Sequence, residues 1–255
     1  MLLHGWMASA DLNWWGAYQA LERAGYRVLA IDHRGHGRGL RTVVPFTLAD
    51  CAADAAAALD LLGAAPATVV GYSMGGAIAQ LVARDHPHVV SGLVLSGTAS
   101  SWDEPRERRF WRAMGVLWLG LALAPNWFWR QALRRSGLRD PERASWLVSE
   151  LLRASPRDLA DAGRELGRFD SRPWVGSLRT PAAVLVTTRD GVVSPRKQRG
   201  LAAALAARVV EAPVDHLDVV TPQYTAALLQ AVEAVAAASP PRGADRASMG
   251  SASSQ

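Results

Sequence analysis

Apolar positions in this chain follow two rhythms. Compact runs of aliphatic and β-branched residues at 26–32, 67–72, 89–96, 182–188 and 208–212 predict strands buried on both faces. Between them, 13–24, 47–62, 73–85, 195–207 and 221–237 carry apolar residues at helical spacing. Thr47-Leu48-Ala49-Asp50 has the form of a capping box shortened from Glu to Asp, and Gly25 and Gly63 stop the helices before them. Residues 1–3 read as the end of a further buried strand. Strands alternating with helices of this length predict an α/β fold, a mostly parallel sheet with helices on both faces.

The rhythm breaks between 101 and 172. There the chain is arginine-rich and helical, with tryptophans at Trp102, Trp111, Trp118, Trp127, Trp129 and Trp146. Beyond 237 it turns to Ser, Ala, Gly, Pro and charge without periodicity, the composition of a disordered tail. The expected organisation is one α/β core from 1–100 and 173–237, a helical insertion at 101–172, and a tail at 238–255.

Composition narrows the function only a little. A hydrophobic content of 49% is ordinary for a globular core, and the single Cys51 sits in an alanine-rich helical pattern as a buried thiol. The net charge of +5 comes almost wholly from arginine spread along the chain. No basic run is interleaved with stacking aromatics, so a solvated surface is expected and nucleic acid is not an expected partner. Met1-Leu2-Leu3 leads straight into His4-Gly5, without the basic and apolar regions of a signal peptide, and the expected location is cytoplasmic.

The chemistry gathers at Gly71-Tyr72-Ser73-Met74-Gly75. A strand runs into a helix through a turn tight enough to need glycine on either side of the serine, which exposes Ser73 beside a helix N-terminus. A serine hydroxyl needs a base, and the base an orienting acid, both on loops at the carboxyl ends of strands. Asp190, just after the strand at 182–188, and His216, in the loop after 208–212, meet that requirement in the order such an elbow uses. Asp215 and Asp218 compete for the acid role but lie close to His216 in sequence. His4, His33 and His36 are alternative bases on neighbouring turns, whereas His86 and His88 belong at the far end of the helix after Ser73. Two backbone donors are expected for an oxyanion, Met74 N–H and Trp6 N–H. Trp6 can also serve as a packing aromatic. No metal or organic cofactor is signalled.

Taken together, LLHGW at 2–6, DHRGHG at 32–37, GYSMGG at 71–76, TRDGVV at 188–193 and the Asp215-His216 pair resemble the α/β-hydrolase superfamily. The resemblance covers residues 1 to about 237 and implies a Ser73-Asp190-His216 triad, an oxyanion hole at Trp6 and Met74, and an eight-stranded sheet with a helical cap where 101–172 fall. Family members normally have two strands and the body of a third before the His-Gly turn. The fold is therefore expected to lack its N-terminal strands, with Met1 a misplaced start or the chain a fragment, the intact downstream motifs favouring the first. Relatives that dehalogenate alkanes or open epoxides use aspartate at the elbow, which Ser73 excludes, whereas carbon–carbon bond hydrolases of the fold use serine.

The resemblance thus implies a serine hydrolase of the carboxylesterase or lipase kind. Carbon–carbon bond hydrolysis and a non-catalytic, ligand-binding member are the alternatives. Residues 113–124 are nearly all apolar and too few to span a bilayer. They read as a cap helix packed on the core, or as a greasy lid over an acyl pocket that touches lipid transiently through its tryptophans and arginines. Both readings favour a small, hydrophobic acyl substrate. The oligomeric state is not legible.

Overall fold

The computed structural model of the protein describes residues 1–135 and 140–238; the tail expected at 238–255 lies, apart from Ala238, outside them. Strands β1 (Leu2–Leu3), β2 (Ala30–Ile31), β3 (Ala67–Tyr72), β4 (Val90–Ser96), β5 (Ala182–Thr187) and β6 (Arg208–Ala212) form one sheet in the order β2-β1-β3-β4-β5-β6. Every pairing in it is parallel. The strand predicted over 26–32 shrinks to Ala30–Ile31, because its neighbour β1 offers only Leu2 and Leu3 as ladder partners.

Alternation along the central strands sorts their side chains to two faces. Val70, Tyr72, Val94, Ala183, Leu185 and Val210 pack toward α1 (Ala10–Arg23) and α10 (Pro222–Ala238). Val69, Leu93, Leu95, Val184 and Val186 pack toward α2 (Leu48–Leu61), α3 (Met74–Asp85) and α9 (Pro195–Ala204). Cys51 of α2 is fully buried in this second layer. Thr47 caps α2 by accepting from the Asp50 N–H, and the shortened box closes through the Thr47 hydroxyl donating to the Asp50 carboxylate.

From β1 the chain winds outward to β2, then returns to the other side of β1 as β3. The crevice outside the carboxyl ends of β1 and β3 is therefore the point where such sheets bind ligands.

Between β4 and β5 the chain forms α4 (Pro105–Arg112), α5 (Met114–Leu123), α6 (Pro125–Arg135), α7 (Pro141–Leu151) and α8 (Pro156–Arg168). The ends of this insertion are pinned together by an antiparallel bridge between Ser101 and Asp170. Ser171 adds to the closure by donating to Gln80 Oε1 on α3 at 2.6 Å. Lys197 on α9 binds both carboxylate oxygens of Glu107 on α4, at 2.7 and 2.8 Å, in a largely buried ion pair that ties the insertion to the core. Helix α5 packs on α8 rather than on the sheet.

Candidate active site

Ser73 follows β3 directly as the N-cap of α3, with φ +52° and ψ −114°, a strained region for a residue with a side chain. The sharp turn brings α3 so close to the sheet that its glycines are obligatory. A Cβ on Gly71 would lie 2.3 Å from the Gly75 carbonyl oxygen, and one on Gly75 would lie 2.1 Å from that of Leu3. Backbone fills both places, so no side-chain rotation could make room.

The structure brings Ser73, His216 and Asp190 into one chain of hydrogen bonds. Ser73 Oγ lies 3.1 Å from His216 Nε2, and His216 Nδ1 lies 2.7 Å from Asp190 Oδ2. An ionised carboxylate only accepts, so Nδ1 carries the ring proton and Nε2 is left to accept from the serine. The Asp190 side chain is wholly buried. Burial pushes its pKa up, but the bond to His216 and that ring's electrostatic attraction for the carboxylate, with the Thr187 hydroxyl and the Val193 N–H, outweigh this and hold it below the usual carboxylate value. Asp190 Oδ1 accepts from the Val192 and Val193 N–H groups at 2.8 and 2.7 Å. Asp215 accepts instead from the backbone N–H of His216, and Asp218 from that of Asp215, so both brace the loop.

The supporting residues are ones that sequence reasoning missed. Thr187 Oγ1 donates to Asp190 Oδ2 at 2.7 Å, and Gln198 Nε2 reaches the same oxygen at 3.2 Å. The Tyr72 hydroxyl donates to the His216 carbonyl, anchoring the histidine loop on β3. Only the place of Tyr72 beside Ser73 hinted at such a role. Gln198 is one polar residue on a helix, without any distinguishing pattern.

The His4-Gly5-Trp6 turn flanks the elbow. A Cβ on Gly5 would lie 3.4 Å from Ser73 Cβ, and Gly5 N–H donates to Asn13 Oδ1 at 2.8 Å. Trp6 follows Gly5 on this turn and Met74 follows Ser73 at the start of α3, and among the described residues the structure records no hydrogen-bond partner for the backbone N–H of either. The Trp6 ring packs edge-on against Phe110 and Trp111, and its Nε1 donates to the Leu159 carbonyl at 2.8 Å.

The remaining histidines divide by place. His4, His33 and His36 are buried together, their rings 4.3 Å apart for His4 and His33 and 5.4 Å for His4 and His36. His4 Nδ1 bonds the Gly5 carbonyl at 2.7 Å, leaving Nε2 to accept the His33 N–H at 3.0 Å. This cluster fixes the turn that carries Trp6. Burial lowers the pKa of His4 to about 4 and of His36 to about 3, and drives that of His33 well below the ordinary value. His86 and His88 lie at the other end of α3. In the neighbouring Asp32–Gly37 loop, Asp32 accepts from the N–H groups of Ala10 and Arg38, and Arg34 makes a bidentate pair with Asp54.

Size and chemistry point to different cavities. One of about 490 Å³ lies at the amino ends of the strands, lined by Leu21, Tyr26, Val28 and Thr68, with none of the Ser73 site in its wall. The chemistry is at the opposite, carboxyl edge. Leu159, whose carbonyl holds the Trp6 ring, also lines an apolar cavity of about 180 Å³ within the insertion, together with Leu121, Trp129 and Leu152; none of Ser73, Asp190 or His216 is in its wall.

A parallel sheet with a strained serine at its switch point and a histidine and an acid on later strand ends defines the α/β-hydrolase class. The family model described as alpha/beta hydrolase fold matches residues 1–119, just under half of the chain, and the chain has the α/β-hydrolase fold. It is similar to a 3-oxoadipate enol-lactonase of Acinetobacter baylyi, with 27% identity over 72% of this chain and 69% of that one. A non-heme haloperoxidase of Rhodococcus erythropolis is 41% identical over 38% of this chain and 35% of its own length. The enol-lactonase structure from Burkholderia xenovorans superposes with a TM-score of 0.72 at 25% identity, covering 91% of this chain and 90% of that one.

Proposed function

We propose that the protein is a serine hydrolase that cleaves a carboxylic ester or related acyl compound through an acyl-enzyme on Ser73. The observation that carries this reading is the continuous hydrogen-bond chain from Ser73 Oγ through His216 to the buried Asp190. Ser73 Oγ attacks the acyl carbon as its proton passes to His216 Nε2, and Asp190 stabilises the imidazolium. The N–H groups of Trp6 and Met74 receive the oxyanion. His216 then gives its proton to the leaving alcohol, and the same base activates the water that releases the acid.

One feature supports a hydrophobic acyl group. The insertion covers Trp6 as a helical cap through Phe110 and Trp111, and the Trp6 ring is held by the Leu159 carbonyl, so the face of the cap toward the oxyanion turn is aromatic and apolar. Similarity to enol-lactonases adds cyclic esters to the candidate substrates.

The test is turnover of a p-nitrophenyl ester series by the wild type and by Ser73→Ala, alongside labelling with a fluorophosphonate. The wild type should label and turn over. Ser73→Ala should do neither while melting as the wild type does, with a loss on the order of a millionfold. Retained activity in the variant, or hydrolysis of a vinylogous diketone in place of esters, would refute the assignment.

A further inference from the structure

Helix α5 turns an apolar face to water. Met114 and Leu121 are buried, whereas Gly115, Val116, Trp118, Leu119, Ala122 and Leu123 are exposed, so its open side has no polar residue. A helix apolar all round belongs in a core or in lipid. This one has 10 residues, about half of what a bilayer span needs, and among the described residues no helix is long and apolar enough to cross a membrane. The surface continues past the joint at Ala124 onto α6, where Trp127 is 62% exposed; Val116 and Leu123 are 74% and 76% exposed.

The charge around this face selects its partner. From Arg108 to Arg135 the chain has six arginines and no acidic residue. Arg109, Arg112, Arg130, Arg134 and Arg135 are exposed, and among the described residues none of them forms an ion pair. A two-fold contact between copies would set these arginines against themselves, a repulsive arrangement. A nucleic acid would answer the charge and leave the aliphatic side chains uncovered. An anionic bilayer surface answers both, with acyl chains for the apolar face and phosphates for the guanidinium groups.

We propose that α5 and the start of α6 form an interfacial docking surface for anionic membranes, lying in the plane of the headgroups with Val116, Trp118, Leu119, Leu123 and Trp127 inserted. This is independent of the reaction at Ser73.

Flotation of the full chain with phosphatidylcholine vesicles, with and without about 30 mol% phosphatidylglycerol, tests it. The anionic vesicles should bind at least about tenfold more protein, with a blue shift of tryptophan emission, and high salt should weaken binding. Leu119→Asp with Leu123→Asp should abolish flotation without altering the melt, since both side chains are exposed. Arg130→Glu with Arg134→Glu should remove the preference for anionic lipid. Equal binding to both vesicles would overturn the proposal, as would no binding to either. So would a dimer in sedimentation that Leu119→Asp dissolves, since that would make a second copy the occupant.

Discussion

Replacing Gly75 by Ala tests whether the close seam between α3 and β1 sets the reactivity of Ser73. The added Cβ would lie 2.1 Å from Leu3 O, 2.5 Å from Leu3 C and 2.7 Å from His4 O. Restoring ordinary contact requires α3 and β1 to part by roughly 1.3 Å. The two proposed oxyanion donors stand on opposite sides of that seam, Met74 at the start of α3 and Trp6 just beyond β1, so the separation falls between them. Misplacement by about 1 Å costs on the order of a hundredfold in rate, comparable to losing one donor. Overpacking should also cost about 1–3 kcal/mol of stability. The control is Gly200→Ala on α9, where an added Cβ meets nothing within 4 Å. That variant should keep full activity and gain about 0.5–1 kcal/mol, as glycine in a helix interior does on becoming alanine. Steady-state ester hydrolysis and thermal melts of both variants decide the matter. A Gly75→Ala enzyme with kcat within about threefold of wild type and an unchanged melt would refute the reasoning, because the clash would then have been absorbed without moving the donors.

Two further outcomes follow from the charges at and beside the site. Asp190→Asn should keep the loop, since an amide oxygen can still accept from Val192 and Val193, but lower kcat on the order of ten thousandfold by turning His216 to the wrong tautomer; a loss below about tenfold would show that His216 is oriented by other groups. Acid should destabilise the fold as the pH falls from 6.5 toward 4, because the unfolded chain binds protons there that buried His4 refuses until about pH 4. The shift of His4 alone corresponds to on the order of 3 kcal/mol lost across that window, read from urea melts between pH 7 and 4.5. His33→Leu, which removes a ring with two unpartnered nitrogens, should flatten the profile, and equal stability at both pH values would refute this.

The strands legible in the sequence were those whose neighbours are long. The expected 67–72, 89–96, 182–188 and 208–212 agree with β3 to β6 within a residue, because apolar runs buried on both faces have no other stable place. The run at 26–32 has the same composition but only two residues to pair with, and pairing is not written in the run itself. Ser73, Asp190 and His216 were legible for a related reason. Each follows a strand, and a parallel sheet carries all of its strand ends to one edge. Thr187, Gln198 and Asn13 were not, since a polar residue in a strand or helix reads alike whether it faces water or holds a buried partner. The 113–124 run allows two readings, a cap helix packed on the core or a greasy lid, because uniform apolarity carries no face; α5 lies on α8 and leaves its other side open.

The strain at Ser73 and the neutrality of the histidine cluster are two parts of one arrangement. Ser73 can hold its positive φ only while β3, α3 and the His4-Gly5 turn press on it from separate sides. Gly75 meets Leu3 and His4, Gly5 meets Tyr72 and Ser73, and the Ser73 N–H is held by Ser96 O at 2.9 Å. The His4 turn is kept in place by a ring nitrogen accepting the His33 N–H, a bond that exists only while that nitrogen is unprotonated. Protonation of native His4, at about pH 4, therefore releases one wall of the elbow. Stability should fall first, between pH 6.5 and 4 while His4 stays neutral in the fold, and the elbow should loosen only as the pH passes through about 4, although His4 touches none of the Ser73-His216-Asp190 chain.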